Sequence, residues 1–427
     1  IDASKGSRKD GPKNRLLEHC LHKIVDTFTR QADVPRYARM GPLTEIADPK
    51  NDFNLNLPRY IDSTEPEDLQ DIDGHLRGGI PERDLDALGA YWQVLPGVRG
   101  VLFEAFDKTG GRPGYARLKP ALTGVKPAIF GHGEFTAFQQ QATQVFADWR
   151  KAATKHLTGF GKDGHPKALI ETIAEELLTA FRQAPLLDAY DIYQHLMDYW
   201  AEMMQDDAYL IAADGWVAVP ARIVETDKKG KSKDKGWACD LIPKPLIVAR
   251  YFAKEQAAIE AKQAELETAI AALAELEEEH GGEEGCLGAL DKIAKGEVNA
   301  RLKEIKADKD AKNEIAVLKR WLDLSEQVTT LKRPVKDHDA GLDGLAYARY
   351  PNRSEAEIQT LVVNDKWMAR LSAAVQGELD RVSQTLTARI RELADRYATP
   401  LPKLSEEVET LSARVDEHLK KMGASWK

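Results

Sequence analysis

The chain has 427 residues, room for two large or three ordinary domains at roughly 150 residues each. Its 69 Asp and Glu against 60 Lys and Arg leave a formal charge of −9, which excludes a uniformly basic nucleic-acid coat and confines any DNA contact to local patches. Charged residues are 30% and aromatics only 7%, a mixture that predicts long solvated helices rather than a β-sandwich. Cys20, Cys239 and Cys286 are odd in number and far apart, which suits a reducing compartment, the cytoplasm, better than a disulfide framework. The most apolar helical stretch, Ala269 to Leu276, is far short of the roughly 20 residues that cross a bilayer, so no membrane association is expected. Ile1-Asp2-Ala3-Ser4 reads like the edge of a buried strand, the expectation for a fragment with a missing upstream neighbour.

From Asn14 to Gln31 the residues Leu16, Leu17, Cys20, Leu21, Ile24, Val25 and Phe28 recur at three and four and predict an amphipathic helix. Tyr37 to Ile46 and Phe53 to Ile61, broken by Pro42, Pro49 and Pro58, read as edge strands and extended loops. Helical spacing returns from Arg83 to Phe106 with an interruption at Pro96-Gly97, a helical hairpin or kink. A Gly/Pro-rich link from Thr109 to Gly114 precedes helices at 134–157, 168–183 and 189–205, the last ending in Asp206-Asp207. Between Tyr209 and Leu241, the pieces Tyr209-Leu210-Ile211 and Trp216 to Val219 flank a segment with five Lys against two Asp, Asp227 to Gly236. They predict a small β element with a mobile basic tip.

Beyond Pro245, Phe252, Ile259, Leu266 and Leu273 fall seven apart, one stripe of a long helix that packs against a partner helix. The second heptad position is weaker, with Gln256, Gln263 and Glu277, so a helical hairpin is expected in place of a zipper. Its bend is Gly281 to Gly288 and its returning arm Val298 to Lys332, broken by Pro334 to Gly344. Two tail helices follow. Leu379, Leu386, Ile390 and Leu393, then Leu404, Val408, Leu411 and Val415, form a candidate subunit-packing seam. The fold class is therefore mainly α. The expected divisions are a β-containing N-terminal piece over 1–62, a helical middle over 63–245 with the β element near 209–241, a helical hairpin over 246–333 and a coiled-coil-like tail over 334–427.

Motifs that carry chemistry are few. Gly159-Phe160-Gly161-Lys162-Asp163-Gly164 fits G-x-G-x-x-G, but a predicted helix precedes it where a dinucleotide site needs a strand, so a helix-turn-helix glycine loop is favoured. His19 and His22, around Cys20, could offer two metal ligands on one helix face, or be boundary histidines beside a packed cysteine. Gly131 to Glu134 reads as a loop and helix start. Glu65, Glu67, Asp68, Asp71 and Asp73, and then Asp206-Asp207, could run acid–base chemistry, although a solvated helix start and a structural turn fit better. Residues 1–40 hold nine Lys and Arg against five acids. Arg8, Lys9, Lys13, Arg15, Arg36 and Arg39 are the candidate contacts to a DNA backbone.

Several stretches together resemble one family: Asn14-Arg15-Leu16, His22-Lys23-Ile24, Asn54-Leu55-Asn56-Leu57-Pro58-Arg59-Tyr60-Ile61, Tyr91-Trp92, Tyr190 to Tyr193, and Met204 to Tyr209. They are similar to the part that follows the catalytic motifs in modification subunits of type I restriction-modification systems, and the resemblance runs over essentially the whole chain. It implies a host-defence adenine-N6 DNA methyltransferase subunit that uses S-adenosylmethionine. It also implies a specificity subunit, a second modification subunit, a restriction subunit and double-stranded DNA as partners. The family's cofactor loop resembles D-P-x-x-G-S-G and its base-flipping loop N-P-P-[FY]; neither occurs in this sequence. No catalytic, cofactor or metal residue is therefore carried over, and the chain by itself is expected to be an inactive structural, assembly and DNA-clamping region. An independent helical interaction module, or a self-contained enzyme built on the acidic clusters, are the competing readings.

Overall fold

The computed structural model describes every residue except 65–68, 107–111, 227–231, 283–284, 307, 309–310 and 424–427, and the side chain of Asn352. Glu65, Glu67 and Asp68 of the first acidic cluster, and Lys228, Lys229 and Lys231 of the basic tip, lie outside the described residues. In chain order the elements begin with β1 (Ser7–Asp10), β2 (Lys13–Leu16), α1 (Glu18–Arg30), α2 (Leu43–Ile46) and a single 3-10 turn, Leu57–Arg59. Then come α3 (Ile72–Arg77), β3 (Ile80–Pro81), α4 (Glu82–Asp86), α5 (Gly89–Val94), α6 (Pro96–Leu102), β4 (Phe103–Ala105) and β5 (Tyr115–Leu118). The helices α7 (Val125–Phe130), α8 (Gly133–Gly159), α9 (Pro166–Phe181) and α10 (Ala189–Tyr199) follow, and a π-helical segment, Trp200–Met204, runs on into α11 (Gln205–Asp214). After the hairpin β6 (Ala221–Thr226) and β7 (Ser232–Ala238) come α12 (Lys244–Tyr251), α13 (Ala253–His280), α14 (Lys295–Ile305), α15 (Lys312–Arg349) and α16 (Glu355–Gln359). A second π-helical segment, Thr360–Met368, leads to α17 (Ala369–Arg396) and α18 (Leu401–Lys421). The architecture is mainly α with small antiparallel sheets, β1-β2, β3-β5-β4 and β6-β7.

Two compact units result, one from Ile1–Ala212 with Trp367–Lys427, the other from Ala213–Lys366. These limits differ from divisions at 62, 245 and 333, because α17 folds back onto α7, α8 and α10. The core of the first unit follows from helical periodicity. On α8, Phe135, Phe138, Ala142, Phe146, Trp149, Ala153 and Leu157 are buried at spacings of three and four, and the Trp149 indole donates to the Ile173 carbonyl on α9 at 3.0 Å. On α17, Leu371, Val375, Leu379, Val382, Leu386, Ile390 and Leu393 repeat the pattern; each fully buried aliphatic side chain is worth about 1.5–3 kcal/mol.

In the second unit α13 and α15 pack lengthwise, and Leu287, Val298, Ile305, Leu318 and Trp321 make a core at the bend. The Trp321 indole donates to the Glu277 carboxylate at 2.7 Å. At the other end Trp237 lies edge-on to Tyr347 and Tyr350, and its indole donates to Asp343 at 3.0 Å, which anchors the base of the β6-β7 hairpin.

Local expectations shift in five places. The helix predicted from Asn14 starts only at Glu18, because Asp10-Gly11, with Gly11 at φ +59°, turns Lys13–Leu16 back onto Ser7–Asp10. Ile1 to Ser4 lies outside any strand, with the Asp2 amide donating to the Tyr37 carbonyl at 2.7 Å. The strands expected at 37–46 and 53–61 are instead α2 and the 3-10 turn, with Pro42 as N-cap and Pro58 in the first turn, sites where a fixed φ favours a helix start. Asp206 and Asp207 do not end their helix; it continues through Tyr209–Ile211 to Asp214, and the hairpin begins at Ala221. Pro334 does not break α15. The cost of an internal proline, about 3 kcal/mol, is offset by packing beyond it, where Leu342 and Ala346 are buried.

Candidate functional site

The basic residues nominated near the N-terminus separate into two groups. In the β1-β2 hairpin Arg8 pairs with Arg15, Asp10 with Lys13 and Lys9 with Asn14. Since alternate residues share a face, Arg8, Asp10, Lys13 and Arg15 form one exposed face with three cations and one acid, and Lys9 stands on the other. Like charges directly opposite one another are unfavourable in a sheet; Arg15 is relieved by Glu18 at 3.5 Å. Arg36 and Arg39 sit apart from this ribbon. Arg39 is engaged by Glu45 through two hydrogen bonds of 3.0 and 2.8 Å, and Arg36 holds a left-handed backbone, φ +62°. The ribbon itself was missed in the sequence, although Asp10-Gly11 between two runs of Lys and Arg was the signal.

Helix α1 lies against α10 and carries the two histidines. The His19 backbone amide donates to Gln194 Oε1 at 3.0 Å, and its Nδ1 lies 2.7 Å from the same oxygen. His22 Nε2 meets the Glu175 carboxylate, and its Nδ1 faces Asp26 at 3.7 Å. Among the described residues no group of three or more His, Cys, Asp or Glu could hold a metal ion. Burial pushes the Cys20 thiol up from its ordinary range, which disfavours the reactive thiolate.

Asp26 ties α1 to the α9–α10 connection. Its carboxylate accepts from Arg182 at 2.7 Å and from the Tyr190 hydroxyl at 2.8 Å. Burial opposes its ionisation, but the Tyr190 hydrogen bond and the Arg182 charge outweigh it and hold the acid below its usual range. Burial and that same carboxylate push the Tyr190 phenol up to about 12.

The Asn54 to Ile61 stretch is closed by a polar knot. Asn51 donates to the Tyr60 hydroxyl at 2.5 Å and to the Ile46 carbonyl at 3.1 Å; Tyr60 donates to the Asn54 carbonyl at 2.6 Å, and Arg59 to the Asn51 side-chain oxygen at 3.2 Å. These partners fix a surface loop at the cost of leaving Phe53, Leu55 and Leu57 exposed. Residues 1–69 match the family model N-6 DNA Methylase. The matched segment spans the basic hairpin, α1 and this knotted loop. No curated protein and no solved structure matches the chain.

Elsewhere the nominated groups serve the fold. Asp71 caps α3, accepting from the Gly74 amide at 2.7 Å and from the Tyr115 hydroxyl at 2.9 Å, and the Gly74 bond leads the causes that lower its pKa. Asp73 pairs with Arg112 at 2.7 Å. Asp207 is buried and accepts from the Trp367 indole at 2.8 Å. Gly159 closes α8, so a helix precedes the glycine motif, and His132 caps that helix at its start by accepting from the Glu134 amide at 3.2 Å. The eight seam residues divide: Leu379, Leu386, Ile390 and Leu393 are covered by their own unit, whereas Leu404, Val408, Leu411 and Val415 are exposed. The first four are core because α17 is sandwiched by α7, α8 and α10. They are removed from the candidate seam.

Proposed function

We propose that this chain is the structural, assembly and DNA-clamping region of a type I modification subunit, the component of a cytoplasmic host-defence system that methylates adenine N6 with S-adenosylmethionine. The observation that carries this reading is the N-6 DNA methylase match over residues 1–69, which falls on a segment with an exposed basic ribbon. Arg8, Lys13 and Arg15, with Lys9 behind them, approach phosphates of a duplex and supply position and salt-dependent affinity; base recognition falls to a specificity subunit. The cofactor and base-flipping motifs of that class do not occur in the sequence, so no residue here is assigned to the methyl donor or to the extruded adenine. The helices provide assembly surfaces for a specificity subunit, a second modification subunit and a restriction subunit.

The test mixes the full chain with a type I specificity subunit and a duplex carrying that subunit's target. A stable complex by size exclusion, with no transfer of label from S-adenosylmethionine by this chain alone, is the expected result. Failure to form a complex overturns the assembly role, and methyl transfer by these 427 residues alone overturns the placement of the chemistry elsewhere.

A further inference from the structure

The connection between α9 and α10 borders an open, mainly polar cavity of about 640 Å³ in the first unit, within the range of roughly 300–1,000 Å³ typical of small-molecule sites. Arg30, Arg182, Gln183 and Asp188 give it a polar wall, and Leu186 and Tyr190 an apolar one. Leu186 holds a left-handed backbone, φ +61°, a conformation unfavourable for a branched side chain.

The charges around this cavity are unevenly matched. The Asp188 carboxylate accepts from the Tyr190 amide at 2.9 Å and lies 3.8 Å from Lys23. Asp26, behind the wall, accepts from Arg182 Nη2 and from the Tyr190 hydroxyl. Both acids therefore already have donors. The two guanidinium groups lack acceptors in return. Arg182 gives Asp26 a single N–H of the five that a guanidinium carries, and its Nε is buried with no hydrogen-bond partner among the described residues. Arg30 lies 3.9 Å from Asp26, beyond hydrogen-bond reach. Arg30 and Arg182 also stand at the C-terminal ends of α1 and α9, where a cation complements the helix dipole. That role needs charge alone, and it leaves the donors of two guanidinium planes unengaged beside one cavity.

We propose that this cavity binds the phosphate group of a small phosphomonoester, Arg182 and Arg30 presenting paired N–H donors to its oxygens with the Gln183 amide at the rim. Guanidinium forks match phosphate oxygens two at a time. The Arg182 side chain is 25% exposed, and a small rotation of its plane brings the orphaned Nε onto the ligand. Lys23, Arg30 and Arg182 outnumber Asp26 and Asp188 here, a surplus that the ligand's negative charge offsets. Leu186 and Tyr190 border the uncharged remainder of the molecule.

This site stands whether or not the chain serves a modification subunit, and its test uses no other subunit. Calorimetry on the full chain with glycerol phosphate should give saturable binding, with a dissociation constant of about a millimolar or tighter. Inorganic phosphate should compete, and glycerol should not bind. Arg30→Gln should weaken binding by at least about tenfold, the loss of a hydrogen bond to a charged group. Arg182→Lys keeps a cation for Asp26 but loses the fork, and should weaken it as well. Arg39→Gln, whose guanidinium is held by Glu45, should leave binding unchanged, and thermal unfolding without ligand checks that each variant keeps its fold. No saturation by about 10 mM, equal affinity for glycerol, an equal loss in Arg39→Gln, or wild-type binding in both cavity variants overturns the proposal. Displacement of glycerol phosphate by a duplex lacking terminal phosphates also overturns it, because the cavity then belongs to the DNA surface.

Discussion

The indole of Trp367 donates a 2.8 Å hydrogen bond to the carboxylate of Asp207 inside the first unit, with both side chains almost fully buried. The two residues stand beside or within π-helical stretches, Asp207 just after Trp200–Met204 and Trp367 inside Thr360–Met368. A buried acid deprived of a donor carries a desolvation cost of about 1–3 kcal/mol. Trp367→Phe keeps most of the apolar volume and removes the donor, so urea unfolding should show a loss of that size. An unchanged midpoint would show that the other groups around Asp207 suffice.

Asp26 couples stability to pH. Its folded pKa lies below the ordinary 3.8, so the stabilisation is complete above that value and is lost as pH falls through the depressed folded value. Tyr190→Phe removes the hydroxyl that helps depress it. At neutral pH the variant should be about 0.5–1.5 kcal/mol less stable, and the gap between the two proteins should narrow on acidification below 3.8. A gap constant down to strong acid would place the effect of Tyr190 in packing alone.

For DNA, Arg8→Glu with Arg15→Glu reverses two charges on one face of the ribbon. Fluorescence anisotropy with a duplex of any sequence should show weaker binding, and the slope of log affinity against log salt should fall by about 0.9 for each phosphate contact removed. Equal slopes for the wild type and the variant would remove the hairpin from the DNA surface. Arg39→Glu should matter less to binding, since Glu45 already holds that guanidinium.

The two tail helices should respond oppositely to truncation. Leu386 is 1% exposed, so Leu386→Ala opens a cavity and costs about 2–5 kcal/mol of unit stability. Leu411 is 56% exposed, and Leu411→Ala should change unfolding by no more than about 0.5 kcal/mol while weakening the complex with a specificity subunit seen by size exclusion. The reverse pattern would mean that α17, not α18, is the assembly face.

What the sequence made legible was periodicity. Phe135 to Leu157, Leu169 to Phe181 and Leu371 to Leu393 announce their helices because each buries one continuous face. Misreadings cluster where one residue type has two uses: proline at 42 and 58 starts short helical turns, and proline at 334 is carried inside a helix by its surroundings. The tail stripe was readable as apolar, yet the sequence could not say that Leu386 is covered within the chain while Leu411 is not, because α7, α8 and α10 lie more than 180 residues away in sequence. Of the candidate DNA contacts, the four of the hairpin fall together only through the turn at Gly11; Arg39 is claimed by Glu45, a pairing that no spacing rule announces.

Because the first unit is assembled from Ile1–Ala212 and Trp367–Lys427, a ribosome delivers α7, α8 and α10 long before their cover. At about 5–20 residues per second, the greasy sides of those helices wait on the order of ten seconds for α17 to emerge. During that interval the nascent polypeptide exposes apolar surface of the kind that invites aggregation, and a stall within 213–366 would hold it in that state, whatever the finished protein's stability.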